Sequence, residues 1–248
     1  MGKVIKSILV SQPKPENNKS PYFDLAEKHD LKVDFKSFIH VDGVDSKEFR
    51  TQKINLSEFS AVILTSRNAI DHFFRICKET RHTVPDTLKY FCVSEAIALY
   101  LQKYVAYRKR KIFHGRQRFT ELMDLIKKHN KETFLLPSSD ILKAVIPEQL
   151  EEASINYTRA IIYRTVVSDL SDLKNVTYDC LVFYSPAGIE SLYKNFPTFK
   201  QNDTNIAVFG ETTKKAAEFQ GLKVNIGAPA PNAPSMTGAI GLFIKANS

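Results

Sequence analysis

Apolar positions along this chain follow two rhythms that take turns. One is a short, mostly apolar run: Val4 to Val10, Ala61 to Thr65, Tyr90 to Val93, Thr133 to Leu136, Cys180 to Tyr184, Asn205 to Phe209 and Leu222 to Ile226. Runs this short, rich in β-branched and aromatic residues, predict buried strands. The other is a helical stripe. Ile189, Leu192, Tyr193 and Phe196 recur at i, i+3, i+4 and i+7, as do Ile70, Phe73, Phe74 and Cys77.

The clearest unit spans 178–193. A strand ends at Tyr184, Ser185 stands at a helix N-cap, and Pro186 takes the first helical position, where a missing N–H costs nothing. The same unit occurs at 61–77 with Ser66 as the cap. The two serines lie 119 residues apart, and the register holds without a gap from Phe59/Tyr178 to Cys77/Phe196. This predicts a duplication. Pro137-Ser138-Ser139-Asp140 is expected to break a strand as Ser11-Gln12-Pro13 does, and 155–164 resembles 31–39.

Further helices are predicted from Pro21, near 46–52, from Ser94-Glu95 to Tyr104, over 120–128, up to Glu152, over 214–220 with Gly221 as a C′ stop, and from Ser235 to Lys245. A strand is expected over 106–113, and Gly210-Glu211-Thr212-Thr213 reads as a turn. A polar loop runs from Ser11 to Ser20. Strands alternating with helices mean an α/β architecture with mostly parallel sheets. Sequence order alone suggests two tandem halves meeting near residue 130. Spacing equally allows a crossed arrangement in which the two extended segments pass between domains.

Composition narrows this picture. With 248 residues, 43% of them hydrophobic and 25% charged, the chain suits one large domain or two modest ones. Cys77, Cys92 and Cys180 have no metal-site spacing and read as buried reduced thiols, which suits a cytoplasmic protein. The apolar run before Ser11 reads as a strand, not a signal peptide. No stretch approaches the roughly 20 apolar residues of a membrane span. Six scattered histidines argue against a metal centre, and nine glycines without G-x-G-x-x-G or a P-loop argue against nucleotide binding.

A net charge of +8 favours anionic partners. The basic run Arg108-Lys109-Arg110-Lys111 reads as a solvated edge, so no nucleic-acid partner is expected. The alternative, DNA binding, would require affinity that falls steeply with salt.

The polar turns after strands are the candidate sites: Ser11-Gln12, Ser66-Arg67, Ser94-Glu95, Ser138-Ser139, Ser185, and Gly210-Glu211-Thr212-Thr213. Each offers hydroxyls and helix N–H groups to an anion. Each also has a plain structural reading as a cap. Ser185 lacks a base nearby in sequence and is a poor nucleophile candidate. Tyr163 ends an apolar strand beside Arg164 and is either core or a proton donor facing a ligand.

Taken in order, these residues resemble the uroporphyrinogen-III synthase family. The resemblance rests on Ile8-Leu-Val-Ser-Gln-Pro13, Leu64-Thr-Ser-Arg-Asn-Ala-Ile70, Ile162-Tyr-Arg-Thr165 and the strand-Ser-Pro-helix at 180–196. Ala207-Val-Phe-Gly-Glu-Thr-Thr-Lys-Lys-Ala-Ala217 and the closing Ala-Pro-x-x-Pro-Ser-Met-Thr complete the set. It implies two flavodoxin-like α/β domains, 1–38 plus 167–248 and 39–166, joined by a two-stranded linker at 33–41 and 158–166.

The implied reaction closes hydroxymethylbilane to uroporphyrinogen III, inverting ring D with loss of water, through a spiro intermediate and without a cofactor. The role of proton donor carries over to Tyr163, and substrate contacts carry over to Ser66, Ser185, Thr212 and Thr213. The family's Gly-x-x-Thr-Ala turn reads Ser94-Glu95-Ala96-Ile97-Ala98 here. A hydroxyl is lost at Ile97 and one is gained at Ser94, which joins the substrate-binding candidates. A monomer is expected, away from membranes. Transient contact with the upstream bilane-forming enzyme stays open, as does a non-catalytic tetrapyrrole- or polyanion-binding module.

Overall fold

A computed structural model describes residues 4–16 and 19–247. In chain order the elements begin β1 (Ser7–Val10), α1 (Pro21–His29), β2 (Lys32–Phe35), β3 (Ile39–Gly43), α2 (Ser46–Thr51), β4 (Ala61–Leu64) and α3 (Arg67–Glu79). There follow β5 (Lys89–Cys92), α4 (Glu95–Tyr100), β6 (Ile112–His114), α5 (Phe119–Lys128), β7 (Phe134–Ser139), α6 (Val145–Glu152) and β8 (Tyr157–Val167). The chain ends with β9 (Cys180–Phe183), α7 (Pro186–Asn195), β10 (Asn205–Phe209), α8 (Glu211–Phe219), β11 (Val224–Ala228) and α9 (Met236–Ala246).

These elements form two compact units, Met1–His40 with Val166–Ser248, and Val41–Thr165. The first is built on a sheet ordered β11-β10-β9-β1-β2, with parallel ladders throughout. The second is built on a sheet ordered β3-β8-β7-β4-β5-β6, parallel from β8 to β6.

Read by pairing, β11-β10-β9-β1-β2 and β6-β5-β4-β7-β8 match position for position. Both are the five-strand order of flavodoxin-like sheets, with the second unit entered at a different strand. The 119-residue register survives in three dimensions. Strands Ala61–Leu64 and Cys180–Phe183, helix starts Arg67 and Pro186, and the bonds Ala69 N–H to Ser66 Oγ and Gly188 N–H to Ser185 Oγ all keep it.

The apolar runs are explained by burial on both faces. Along β4, Val62 and Leu64 pack with α3 residues Ile70, Phe73 and Ile76, while Ala61 and Ile63 face α5 residues Leu122 and Ile126. Along β9, Cys180 and Val182 join the α9 residues Ile240 and Ile244, while Leu181 and Phe183 face Ile189 and Leu192 of α7.

Several expected boundaries move. The stretch 31–41 is two strands in different sheets, β2 and β3. Pro137-Ser138-Ser139 does not break β7 but forms its last half. The β4 ladder ends at Val62↔Leu135, so from there only β8 is paired and a residue without N–H is tolerated at 137. Residues 211–213 are the first turn of α8 rather than a loop, because Gly210 at φ 86° turns the chain sharply into the helix. The strand expected over 106–113 is reduced to Ile112–His114. Ahead of it Arg108, Lys109 and Arg110 are exposed, and Arg108 O accepts from Lys111 N–H at 2.8 Å.

The polar loop to Ser20 includes Asn17 and Asn18, which lie outside the described residues. Among the described residues no helix is long and apolar enough to cross a membrane.

Candidate active site

In open parallel sheets ligands gather beyond the carboxyl ends of the strands, where successive connections leave in opposite directions. In the second unit that point lies between β4 and β7, and in the first between β9 and β1. The residues at or just beyond these strand ends include Ser66 and Ser139-Asp140, and Ser185 and Ser11.

In the second unit the arrangement is dense. Ser66, extended at φ −156°, accepts from Ala69 N–H at 3.0 Å and so caps α3. The same hydroxyl lies 3.2 Å from the Tyr163 hydroxyl. Tyr163 sits on β8 opposite Ser139 and is 8% exposed, so its ring belongs to the core while its hydroxyl is held at the strand end. Asp140 N–H donates to Tyr163 O at 3.2 Å. Arg159 ties down the end of β7 through Ser138 Oγ (3.0 Å), Ser139 O (2.8 Å) and Asp140 O (2.7 Å). Ser139 Oγ donates to the Asp140 carboxylate at 2.6 Å. Beside Tyr163, Arg164 pairs with Glu48.

On the α3 side, the His72 ring stacks on Tyr163 with centroids 5.3 Å apart and planes 20° from parallel. Burial first, and then the neighbouring Arg75 charge, hold the imidazole below its ordinary pKa. In the same turn of α3, Asp71 accepts from Tyr100 (2.8 Å) and Tyr104 (2.6 Å). The Arg67 guanidinium covers the Tyr100 ring at 5.1 Å.

In the first unit Ser185 caps α7 by accepting from Gly188 N–H at 3.3 Å. Ser11 closes onto β9, its N–H donating to Val182 O at 3.0 Å. A Cβ at Gly188 would stand 3.6 Å from Ser11 Oγ and 3.7 Å from Ser185 Oγ, so both hydroxyls border the same spot above the helix start. Tyr184, the residue before the cap, shares a 2.8 Å hydroxyl–hydroxyl hydrogen bond with Tyr22 of α1.

The remaining expected residues stand apart in character. Thr212 is exposed in the first turn of α8, whereas Thr213 is 1% exposed. Ser94 precedes α4, but unlike Ser66 and Ser185 its hydroxyl makes no capping bond. Ile97, where the family pattern has a hydroxyl, is half-buried against the core. The first turns of α3 and α7 carry no acidic residue, while those of α4 and α8 carry Glu95 and Glu211. The helix ends at Ser66 and Ser185 are therefore the ones whose dipoles remain open to an anion.

Spacing along the chain missed His72 and Arg75, because the stripe of α3 assigns those positions to its polar side. It also missed the Tyr22–Tyr184 pair, 162 residues apart in sequence. Ser11 was legible as a post-strand hydroxyl.

Two parallel α/β units, each with a serine-capped helix at its strand switch point, offer hydroxyls and helix N–H groups to a polar ligand. No group of acidic, histidine or cysteine residues fit to hold a metal occurs among the described residues. Residues 21–238 match the family model for uroporphyrinogen-III synthase HemD, and the chain belongs to that family, whose members are cyclising lyases of tetrapyrrole biosynthesis.

A curated uroporphyrinogen-III synthase from Chlorobaculum parvum (strain DSM 263 / NCIMB 8327) is 23% identical over 97% of this chain and 100% of its own length. Among solved structures, uroporphyrinogen-III synthetase from Helicobacter pylori 26695 superposes with a TM-score of 0.61 at 17% identity. That match covers 98% of this chain and all of the other. A mutant of the synthase from the extremely thermophilic bacterium Thermus thermophilus gives 0.54 at 13% identity, with 98% of each chain covered. The family membership favours the enzyme over the non-catalytic binding module.

Proposed function

We propose that this chain converts hydroxymethylbilane into uroporphyrinogen III, with Tyr163 as the proton donor, Ser66, Ser94, Ser185 and Thr212 in contact with the substrate, and Thr213 supporting Thr212 from behind. The observation that carries the reading is the Tyr163 hydroxyl, held 3.2 Å from Ser66 Oγ at the carboxyl end of β4. A phenol in that place is buried along its ring and polar at its tip, which suits a group that must give up a proton at one defined point.

The chemistry follows from that donor. The hydroxymethyl oxygen takes the Tyr163 proton as its C–O bond breaks, and water leaves. The resulting electrophilic carbon is attacked by ring D through its substituted carbon, forming the spiro intermediate. Fragmentation and re-closure invert ring D, and the proton released on rearomatisation restores the phenol. The net change is the loss of one water.

Unassisted closure is facile and gives the uninverted isomer. The protein's main contribution is therefore to hold the bilane so that the substituted carbon is the nearer nucleophile. The substrate's carboxylates suit the acid-free helix ends at Ser66 and Ser185 and the net charge of +8. Of the α8 hydroxyls, exposed Thr212 is the one a ligand reaches directly. Buried Thr213 would act from behind it. A cytoplasmic monomer, with the bilane handed over in passing contact with the enzyme that makes it, completes the proposal. No nucleic acid takes part in it.

The test is Tyr163→Phe in a coupled assay that generates hydroxymethylbilane in situ. A general acid contributes about 10²- to 10⁴-fold. The variant should lose turnover on that scale while KM stays near the wild-type value. Unchanged turnover would remove Tyr163 from the mechanism.

A further inference from the structure

We propose that Arg75 and His72 are positioning residues for Tyr163, a guanidinium–imidazole brace that sets where the phenol hydroxyl lies. The inference rests on Tyr163 being the proton donor. Arg75 spends every face of its guanidinium within this unit. Nε donates to His72 Nδ1 at 3.1 Å, Nη2 to Val44 O at 2.7 Å and to Ile162 O at 3.0 Å, and Nη1 to Glu79 at 2.7 Å.

Ile162 directly precedes Tyr163, so the guanidinium holds the backbone beside the tyrosine. Through His72, stacked on the phenol at 5.3 Å, it also holds the ring. Backbone and ring are thereby fixed from one point, and the remaining freedom of the hydroxyl is taken up by Ser66.

Two features separate this arrangement from ordinary packing of a histidine on an aromatic. Arg Nε–H can only donate, so Nδ1 must present its lone pair, and the imidazole is neutral with its proton on Nε2. Protonation of Nδ1 would break the link. The charged groups around the ring are Arg75, Asp71 and Glu79 from its own helix and Asp42 from β3, with the Tyr163 phenol facing it from β8. The second feature is Gly43. A Cβ there would come within 2.7 Å of the guanidinium carbon, so the glycine on β3 is what lets Arg75 reach the two carbonyls.

The experiment combines the coupled isomer assay with NMR of protein labelled at its histidine ring nitrogens, the His72 signals being assigned with His72→Gln. Gly43→Ala displaces the flexible end of Arg75, which holds the three atoms nearest the new Cβ, and leaves His72, Tyr163 and Ser66 themselves unsubstituted. Arg75→Met removes the brace outright. In the wild type, His72 should be neutral with Nε2 protonated, and kcat should fall as pH falls through the His72 titration.

In both variants that titration should move to higher pH, and kcat should drop about ten- to a hundred-fold, as a misplacement near 1 Å costs, with KM little changed. Arg75→Met leaves the Val44 and Ile162 carbonyls without this donor. Should it fail to fold, Gly43→Ala decides. Unchanged kcat in Gly43→Ala with a shifted His72 titration would overturn the proposal, as would a wild-type His72 protonated on Nδ1. A wild type that forms no isomer III would instead sink the lyase reading, and the NMR arm would still report on the brace.

Discussion

The serines proposed to bind substrate differ in what else each does. Ser66 and Ser185 cap their helices, whereas Ser94 does not. Ser66→Ala and Ser185→Ala should each cost about 1 kcal/mol of stability, measurable in denaturant midpoints, on top of any loss of activity. Ser94→Ala should leave the midpoint in place, so that an effect on KM there reads substrate contact alone. The thiols make a second residue-scale case. Burial pushes Cys77, Cys92 and Cys180 up to about 12. Thiolate is therefore scarce at neutral pH, and a disulfide exchange reagent should find no reactive thiol in the native protein and all three after denaturation. The buried, reduced thiols were legible from sequence, since each fell in a strand or on an apolar stripe. The His72–Tyr163 stack was not, because it joins residues 91 positions apart whose types also occur in any ordinary core.

Among the elements, α3 carries the most of the site. Its first turn is capped by Ser66, its second places Asp71 and His72, and its third supplies Arg75. Asp71 ties it to α4 and the turn that follows. Burial works against the charged carboxyl, yet the hydroxyls of Tyr104 and Tyr100 and the Lys103 ammonium bring it below its ordinary value of 3.8. A carboxylate depressed in the folded state contributes stability above its unfolded value, and that contribution is lost as pH falls through the folded one. Wild-type Tm should therefore decline more steeply below 3.8 than that of Asp71→Asn, and parallel acid limbs would contradict this tie. At the other end of the chain, Gly221 follows α8 at φ 78°. Gly221→Ala should cost about 1–2 kcal/mol, read in the same denaturant titration. Element types followed from hydrophobic period almost everywhere. Boundaries failed where one backbone group overrode the pattern: the missing N–H of Pro137 inside β7, and the left-handed Gly210 that starts α8 at once.

At the level of the molecule, the duplication was visible as two serines 119 residues apart. The matching order of the two sheets shows why the rest of the repeat was hidden. The second unit runs β4 through β8 without interruption, while the first is split by it, so equivalent strands occur in rotated sequence order. The net charge of +8 adds a prediction of its own. A substrate bearing many carboxylates should bind less well as salt screens the field, raising KM with ionic strength while kcat holds.

The central claim is that this fold steers closure of a reactive chain toward the inverted ring. It is tested most directly by supplying hydroxymethylbilane to the wild-type protein as it is formed, oxidising the products and separating the porphyrin isomers. The account predicts isomer III well above the spontaneous background of isomer I. Isomer I alone, from folded protein, would contradict it.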